Sequence, residues 1–228
     1  MHAVRTLARL DSDKNAAARR EAIDWNHPRG LDRASFEALF DAPWVAAAPT
    51  VVFTGPPGVG KTYLACALAR TARVAGHTVA YCRTLRLVEA LRAARESGDL
   101  RELVAHIGRI EVLVLDEWGL APLSDRELRD VIDLLDDRAG GRAGGRADGR
   151  ADGRAGGRAG ARATVIASPL PIEAWYDFIG DPQLAAAFVD RMAGADHVFA
   201  LRGSSLRGRR AITAGPSPKS MRARLLRP

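Results

Sequence analysis

Short apolar runs punctuate this chain, and between them apolar residues recur every three or four positions. The runs in "TVVFT", "HTVAYCR", "VLVL" and "ATVIAS" read as strands. Val112 to Leu115 are apolar without alternation, which marks a strand buried on both faces, as in a parallel sheet. Elsewhere the period changes. Leu64, Leu68 and Ala72 fall on one helical face, and so do Leu87, Leu91 and Ala94 within "TLRLVEALRAARESG". Val131, Leu134 and Leu135 repeat in the same way after Ser124 and Glu127, whose spacing is that of a capping box. Strands alternating with helices predict an α/β domain built on a parallel sheet.

One stretch breaks the alternation. "RAGGRAGGRADGRADGRAGGRAGARA", from Arg138 to Ala163, places an arginine at every fourth position, seven in all. It stands between the helix that follows "VLVLDE" and the strand "ATVIAS", where connections are ordinarily short. The segment holds nine glycines. Each costs a helix roughly 1 kcal/mol against alanine, and arginines four apart repel. Lengthening a loop from ~5 to ~27 residues costs only about 1.5 kcal/mol of closure entropy. The expectation is a disordered surface insertion in an otherwise intact domain.

Charge sharpens this picture. The 228 residues carry a formal net charge of +7. The segment 138–163 has seven Arg and two Asp, and Leu201 to Pro228 has seven Arg and one Lys without an acid, so the rest of the chain carries −6. A mildly acidic body with two basic appendages points to a polyanionic partner, nucleic acid first. The repeat has no aromatic residues between its arginines, so any contact with DNA is expected to be electrostatic and poor in sequence information. Cys66 and Cys82 have no metal or disulfide spacing and are read as buried thiols. Trp25, Trp44, Trp118 and Trp175 are read as packing residues, and His197 as structural. The N-terminus lacks an apolar signal core and no run reaches the ~18 apolar residues of a membrane span, so a cytoplasmic location is expected.

The first strand leads into the most specific chemistry. Gly55, Pro56, Pro57, Gly58, Val59, Gly60, Lys61 and Thr62 fit G-x-x-x-x-G-K-[ST], with an apolar strand before and a helix after. The glycines let backbone N–H groups wrap a phosphate chain at a helix N-terminus. Lys61 would reach the β/γ-phosphates of ATP, and the Thr62 hydroxyl would ligate Mg²⁺. Asp116 and Glu117 close the buried run, where ligands of open α/β sheets collect. Asp116 would hold Mg²⁺ through water, and Glu117 would polarise the attacking water. An Asp-Glu pair favours a nucleoside triphosphatase over a small-molecule kinase, which needs no base for water.

Five stretches together carry a resemblance. They are "IDWNHPRGLDRASF", "VVFTGPPGVGKTYLACALA", "VLVLDEWGLAPLSDRE", "PIEAWYDFIGDPQLAAAFVDRM" and "HVFALRGSSLR". They cover about Ile23 to Arg210 less the repeat, and resemble the IstB-like ATPases, helpers of insertion-sequence transposases related to the DnaC helicase loaders. The resemblance implies an AAA+ P-loop fold in which ATP-bound subunits assemble as a homo-oligomer on duplex DNA and present it to a cognate transposase. It makes Arg191 the residue that meets the γ-phosphate held by a neighbouring subunit, and Arg207 a nucleotide sensor in cis. Tyr63 joins the cofactor-binding stretch. It also implies an organisation: a shortened N-terminal segment, 1–44, an ATPase domain, 45–210, interrupted by the repeat, and a basic tail, 211–228.

The chain departs from the family pattern in three places. Only 22 residues precede "IDW", where relatives carry a longer helical domain. The strand after the repeat ends Ala167, Ser168, Pro169, where relatives place a polar sensor after the serine. The repeat itself is foreign. A helicase loader and a nucleotide-binding module that does not hydrolyse ATP therefore stay open beside the transposition helper.

Overall fold

Five parallel strands form one sheet in the order β2-β3-β4-β1-β5. They are β1 (Thr50–Thr54), β2 (Val79–Arg83), β3 (Val112–Asp116), β4 (Ala163–Ser168) and β5 (His197–Ala200). The helices are α1 (Arg33–Asp41), α2 (Lys61–Val74), α3 (Thr84–Ser97), α4 (Leu100–Arg109), α5 (Asp125–Arg138), α6 (Trp175–Ile179) and α7 (Pro182–Ala193). The structure is a computed structural model and describes residues 17–41, 44–47, 49–138, 162–193 and 195–207.

Helices cover both faces of the sheet, which is why its central strands are apolar without alternation. On one face, α1 and α2 pack on Val51, Phe53, Val112, Val114, Val165 and Ala167. Phe36 of α1 is fully buried, with its ring 5.6 Å from Phe53 and 5.3 Å from Phe199. On the other face, α3, α4, α5, α6 and α7 pack on Val52, Leu113, Leu115 and Ile166. Trp118, Trp175 and Phe188 form an aromatic cluster on this face, and Trp44 is buried on the first. Trp25 is only half-buried. Cys66 and Cys82 are buried free thiols, both pushed up to about 12, chiefly by burial.

The expected elements occur where the periodicity puts them. The capping box closes as read: Ser124 N–H donates to Glu127 Oε2 at 2.9 Å, and Glu127 N–H to Ser124 Oγ at 3.4 Å. Four of these helices have no counterpart in the sequence reading: α1, α6, α7 and α4, the last of which buries Leu103 and Ile107.

The repeat does lie between α5 and β4, but its ends need correction. Arg138 is the last residue of α5 and Ala163 the first of β4, so neither belongs to the insertion. Arg138 is 1% exposed, and its guanidinium donates to the carbonyls of Ile107, Ile110 and Ala163 and to the Thr164 hydroxyl. Arg162 N–H donates to Arg138 C=O at 2.7 Å, so the connection leaves and re-enters the fold within one hydrogen bond. Residues 139–161 and 208–228, which include the whole basic tail 211–228, lie outside the described residues, as does the chain before residue 17. Among the described residues no helix is long and apolar enough to cross a membrane.

The strand register gathers the carboxyl ends at one edge. Arg83 stands opposite Asp116, and Thr54 is flanked by Ser168 and Ala200. The element after β1 covers one face of the sheet and those after β4 the other. Their shared edge is therefore a switch point, where such sheets bind ligands.

Candidate nucleotide site

The loop after β1 is tightly wrapped. Gly58 has φ +87, and a Cβ there would stand 2.1 Å from Ser205 Oγ, so neither conformation nor space admits a side chain. Leu206 N–H donates to Gly58 C=O at 2.9 Å, and Leu201 N–H to Thr54 C=O at 2.8 Å. The chain that follows β5 thus straps the loop. Val59 is buried, while Pro56 and Pro57 are exposed.

Lys61 opens α2 and folds back over the loop. Its ammonium donates to Gly55 C=O at 2.6 Å and to Pro56 C=O at 2.9 Å. Burial holds it below the ordinary lysine value; Asp116 works against this, and Arg207 adds to it. Thr62 and Tyr63 follow in the first helical turn, both half-buried. The Tyr63 hydroxyl reaches away along the N-terminal segment, 3.3 Å from the carbonyls of Ala17 and Ala22. Only the backbone of Tyr63 remains suited to a phosphate.

Asp116 is 3% exposed. Its Oδ2 accepts the Tyr81 hydroxyl at 2.7 Å, and its Oδ1 accepts Glu117 N–H at 2.9 Å. Glu117 takes a left-handed backbone, φ +61, and its Oε2 lies 3.6 Å from Arg83 Nε. The Tyr81 hydroxyl first, and then the Glu117 carboxylate, hold Arg83 above its ordinary value. Ser168 closes β4 with a fully buried hydroxyl that donates to Trp118 C=O at 2.7 Å and accepts Leu170 N–H and Trp175 Nε1–H. Pro169 follows, so the end of β4 turns its polar group into the aromatic cluster.

The fold therefore brings the glycine loop, Lys61, Thr62, Asp116 and Arg207 to one place, with Glu117 beside Arg83. Arg207 is exposed, and its N–H donates to Ser205 Oγ at 3.1 Å. Arg191 lies in α7, and its side chain is outside the described residues. Sequence reasoning missed Arg29, Tyr81, Arg83 and Ser205. Strand alternation carried a hint for Tyr81 and Arg83, which share a face of β2, but only the register with β3 puts them against Asp116 and Glu117.

Residues 2–144 and 156–214 match the family described as IstB-like ATP binding protein, leaving out 145–155 within the repeat. The chain is 37% identical over 187 residues to y4pL of Sinorhizobium fredii, whose name assigns it ATP binding and a place in an insertion sequence; the match covers 82% of this chain and 68% of that protein. It is 39% identical over 127 residues to a protein of Pseudomonas fluorescens named for ATP binding and for insertion sequence IS1162, covering 56% of this chain and 55% of the relative. Among solved structures, the DnaC helicase loader has a TM-score of 0.64 at 18% identity, covering 83% of this chain and 99% of that one. The replication initiator DnaA, bound to AMPPCP and single-stranded DNA, has a TM-score of 0.58 at 14% identity, covering 85% and 55%.

Proposed function

This chain belongs to the IstB-like ATP binding proteins and has the AAA+ fold; from that premise we propose that it hydrolyses ATP to drive assembly on duplex DNA in support of a cognate transposase. The observation that carries the reading is a glycine loop at the N-terminus of α2 with Lys61 folded back over it, and Asp116 at the same edge of the sheet, at the end of the buried strand β3, one strand removed from β1.

In this reading the N–H groups that open α2 face the phosphates. Lys61 leaves the Gly55 and Pro56 carbonyls for the β/γ-phosphate oxygens. Thr62 and Asp116 would hold Mg²⁺, which when bound would draw charge from the phosphoryl oxygens. The donor set suits it: a hydroxyl and a buried carboxylate, both oxygen ligands. Glu117 orients the attacking water and accepts its proton. Arg191 of one subunit stabilises the γ-phosphoryl charge held by the next, as an arginine finger does, and Arg207 senses the nucleotide in its own subunit. The basic segments contact DNA through phosphates, which adds affinity without sequence readout.

Two variants test this. Lys61→Ala should weaken ATP binding by calorimetry at least tenfold. Glu117→Gln should leave binding intact and lower turnover by about 10²-fold or more, with longer-lived DNA complexes. Wild-type ATP affinity in Lys61→Ala would overturn the site. Unchanged turnover in Glu117→Gln would remove Glu117 from the chemistry.

A further inference from the structure

Arg29 is 2% exposed, and among the described residues its guanidinium is hydrogen-bonded to carbonyl oxygens and not to a carboxylate, although the Asp24 carboxylate favours its charge from farther off. Nη2 donates to Asp24 C=O at 2.6 Å and Nη1 to Val59 C=O at 3.4 Å. The guanidinium rests against the α-carbon of Gly60: a Cβ there would stand 2.7 Å from Nη1. Gly60 caps α2 in a left-handed conformation, φ 103 and ψ 11. The backbone of Arg29 is tied as well, its N–H to His27 C=O at 2.7 Å and its C=O to Arg202 N–H at 2.8 Å. One residue thus joins the N-terminal segment, the phosphate loop and the strap that follows β5.

Packing alone does not call for a cation here. Among the described residues this buried guanidinium has no ion-pair partner within 4 Å, which is costly, and an apolar side chain of equal length would fill the space at less expense. Burial holds Arg29 below the ordinary arginine value. The charge also sits at the N-terminus of α2, where the helix dipole is already positive. Both costs fall when an anion arrives.

We propose that Arg29 is a positioning residue of the phosphate loop, bracing the Val59–Gly60 turn so that the N–H groups opening α2 face the nucleotide phosphates. The proposal rests on the reading of this loop as an ATP site. It makes a stretch outside the glycine motif part of the nucleotide-binding apparatus.

The test measures ATP affinity by calorimetry, and thermal unfolding without ligand, for Arg29→Met, Arg29→Lys and Lys61→Ala. Arg29→Met should bind ATP about tenfold more weakly, while its ligand-free melting temperature falls by no more than a few degrees, because removal of the buried charge offsets the loss of the donors to the Asp24 and Val59 carbonyls. Arg29→Lys keeps the charge and reaches one carbonyl, so its affinity should fall between the two. A lower melting temperature with wild-type affinity would make Arg29 a brace of the fold alone and overturn the proposal. If Arg29→Met does not fold, Arg29→Lys decides: wild-type affinity there overturns it, and weakened affinity supports it. If the Arg29 variants bind normally while Lys61→Ala does not, only the role of Arg29 fails. Normal binding in all three would sink the nucleotide site itself.

Discussion

Arg83 ends β2, Glu117 follows β3, and the Arg83 guanidinium lies 3.6 Å from the Glu117 carboxylate. The strand register makes them neighbours, because Arg83 pairs directly with Asp116. Glu117 meets Arg83 from a left-handed backbone, φ +61, which residues other than glycine rarely adopt. Such a conformation is a reason to look for function in the residue that holds it. Here the carboxylate proposed to activate water is paired with a cation.

That relationship gives the first prediction. The side chains are 48% and 35% exposed, so the pair is worth no more than about 1 kcal/mol. Arg83→Ala should free Glu117 and raise basal ATP turnover, at most about fivefold, with ATP affinity unchanged. Arg83→Lys should stay near wild type. Steady-state phosphate release is the measurement. A fall in turnover would show that Arg83 supports Glu117 rather than restrains it.

A second prediction concerns the opposite end of the sheet. Glu111 accepts Thr78 N–H at 2.9 Å, and its other oxygen lies 2.9 Å from His77 Nδ1. The Thr78 backbone first, and then His77, pull Glu111 down to about 2 from 4.5. A carboxylate lowered on folding stabilises above its unfolded value and loses that contribution as pH falls through the folded one. The window is therefore about pH 4.5 down to 2. Glu111→Gln should cost about 1 kcal/mol at neutral pH, allowing for solvent screening, and should flatten the pH dependence across this window. Urea midpoints at several pH values check it. Parallel curves for the two proteins would mean that Glu111 titrates alike when folded and unfolded.

Arg138 supplies the third. Burial, and Arg162 nearby, push its guanidinium down to about 9, so it remains a cation at neutral pH. Its carbonyl partners, Ile107, Ile110 and Ala163, tie the end of α4 to the start of β4. Arg138→Leu removes a buried charge but leaves acceptors without a donor, each costing about 1–3 kcal/mol. A net loss of about 2–3 kcal/mol is expected by chemical denaturation. Unchanged stability would mean that water reaches those carbonyls.

Arg138 also marks where sequence reasoning stops. Its letter begins a monotonous repeat, and composition alone places it with the other arginines. Only the position of α4 reveals that its side chain turns inward. The central strands were legible because burial on both faces leaves them apolar, as in Val112 to Leu115. The glycine loop and the Asp116–Glu117 pair were legible because their spacing is dictated by phosphate and metal chemistry. Arg29, Tyr81 and Arg83 were not, since their roles arise from contacts across |i−j| of 30 or more. Helix α4 was passed over although Leu103 and Ile107 are helically spaced, because only these two of its residues are fully buried.

A fourth prediction concerns assembly. If Arg191 acts on the neighbouring subunit, Arg191→Ala alone should lose turnover while retaining ATP binding. Mixing it with Lys61→Ala should restore some turnover, because the Arg191→Ala subunit keeps an intact pocket and borrows the arginine of the other. Mixing ratios followed by phosphate release, with co-assembly verified by sedimentation, give the answer. An absence of recovery at every ratio, in assemblies containing both variants, would refute the trans role.

The last prediction returns to the arginine repeat. Arg138 C=O and Arg162 N–H are 2.7 Å apart, so the fold holds the two ends together without help from what lies between. Deleting residues 141–159 leaves Ala139, Gly140, Gly160 and Ala161 as a short connection and removes five arginines and two aspartates. The connection joins β4 at the edge opposite the carboxyl ends, away from Lys61 and Asp116. Basal ATP turnover should therefore stay within about twofold, and the melting temperature should hold or rise slightly as loop entropy is recovered. Binding to duplex DNA should weaken in a salt-dependent way. Each arginine that neutralises a phosphate contributes about −0.9 to the slope of log affinity against log salt, so if half of the five engage, the slope shrinks by about 2. The loss should be equal on unrelated duplexes, because phosphate contacts carry no base information. Titrations of two duplexes at several salt concentrations, beside turnover of the deletion protein, decide between the alternatives. Lost turnover would make the repeat part of the ATPase, and a loss confined to one duplex would mean that it reads sequence.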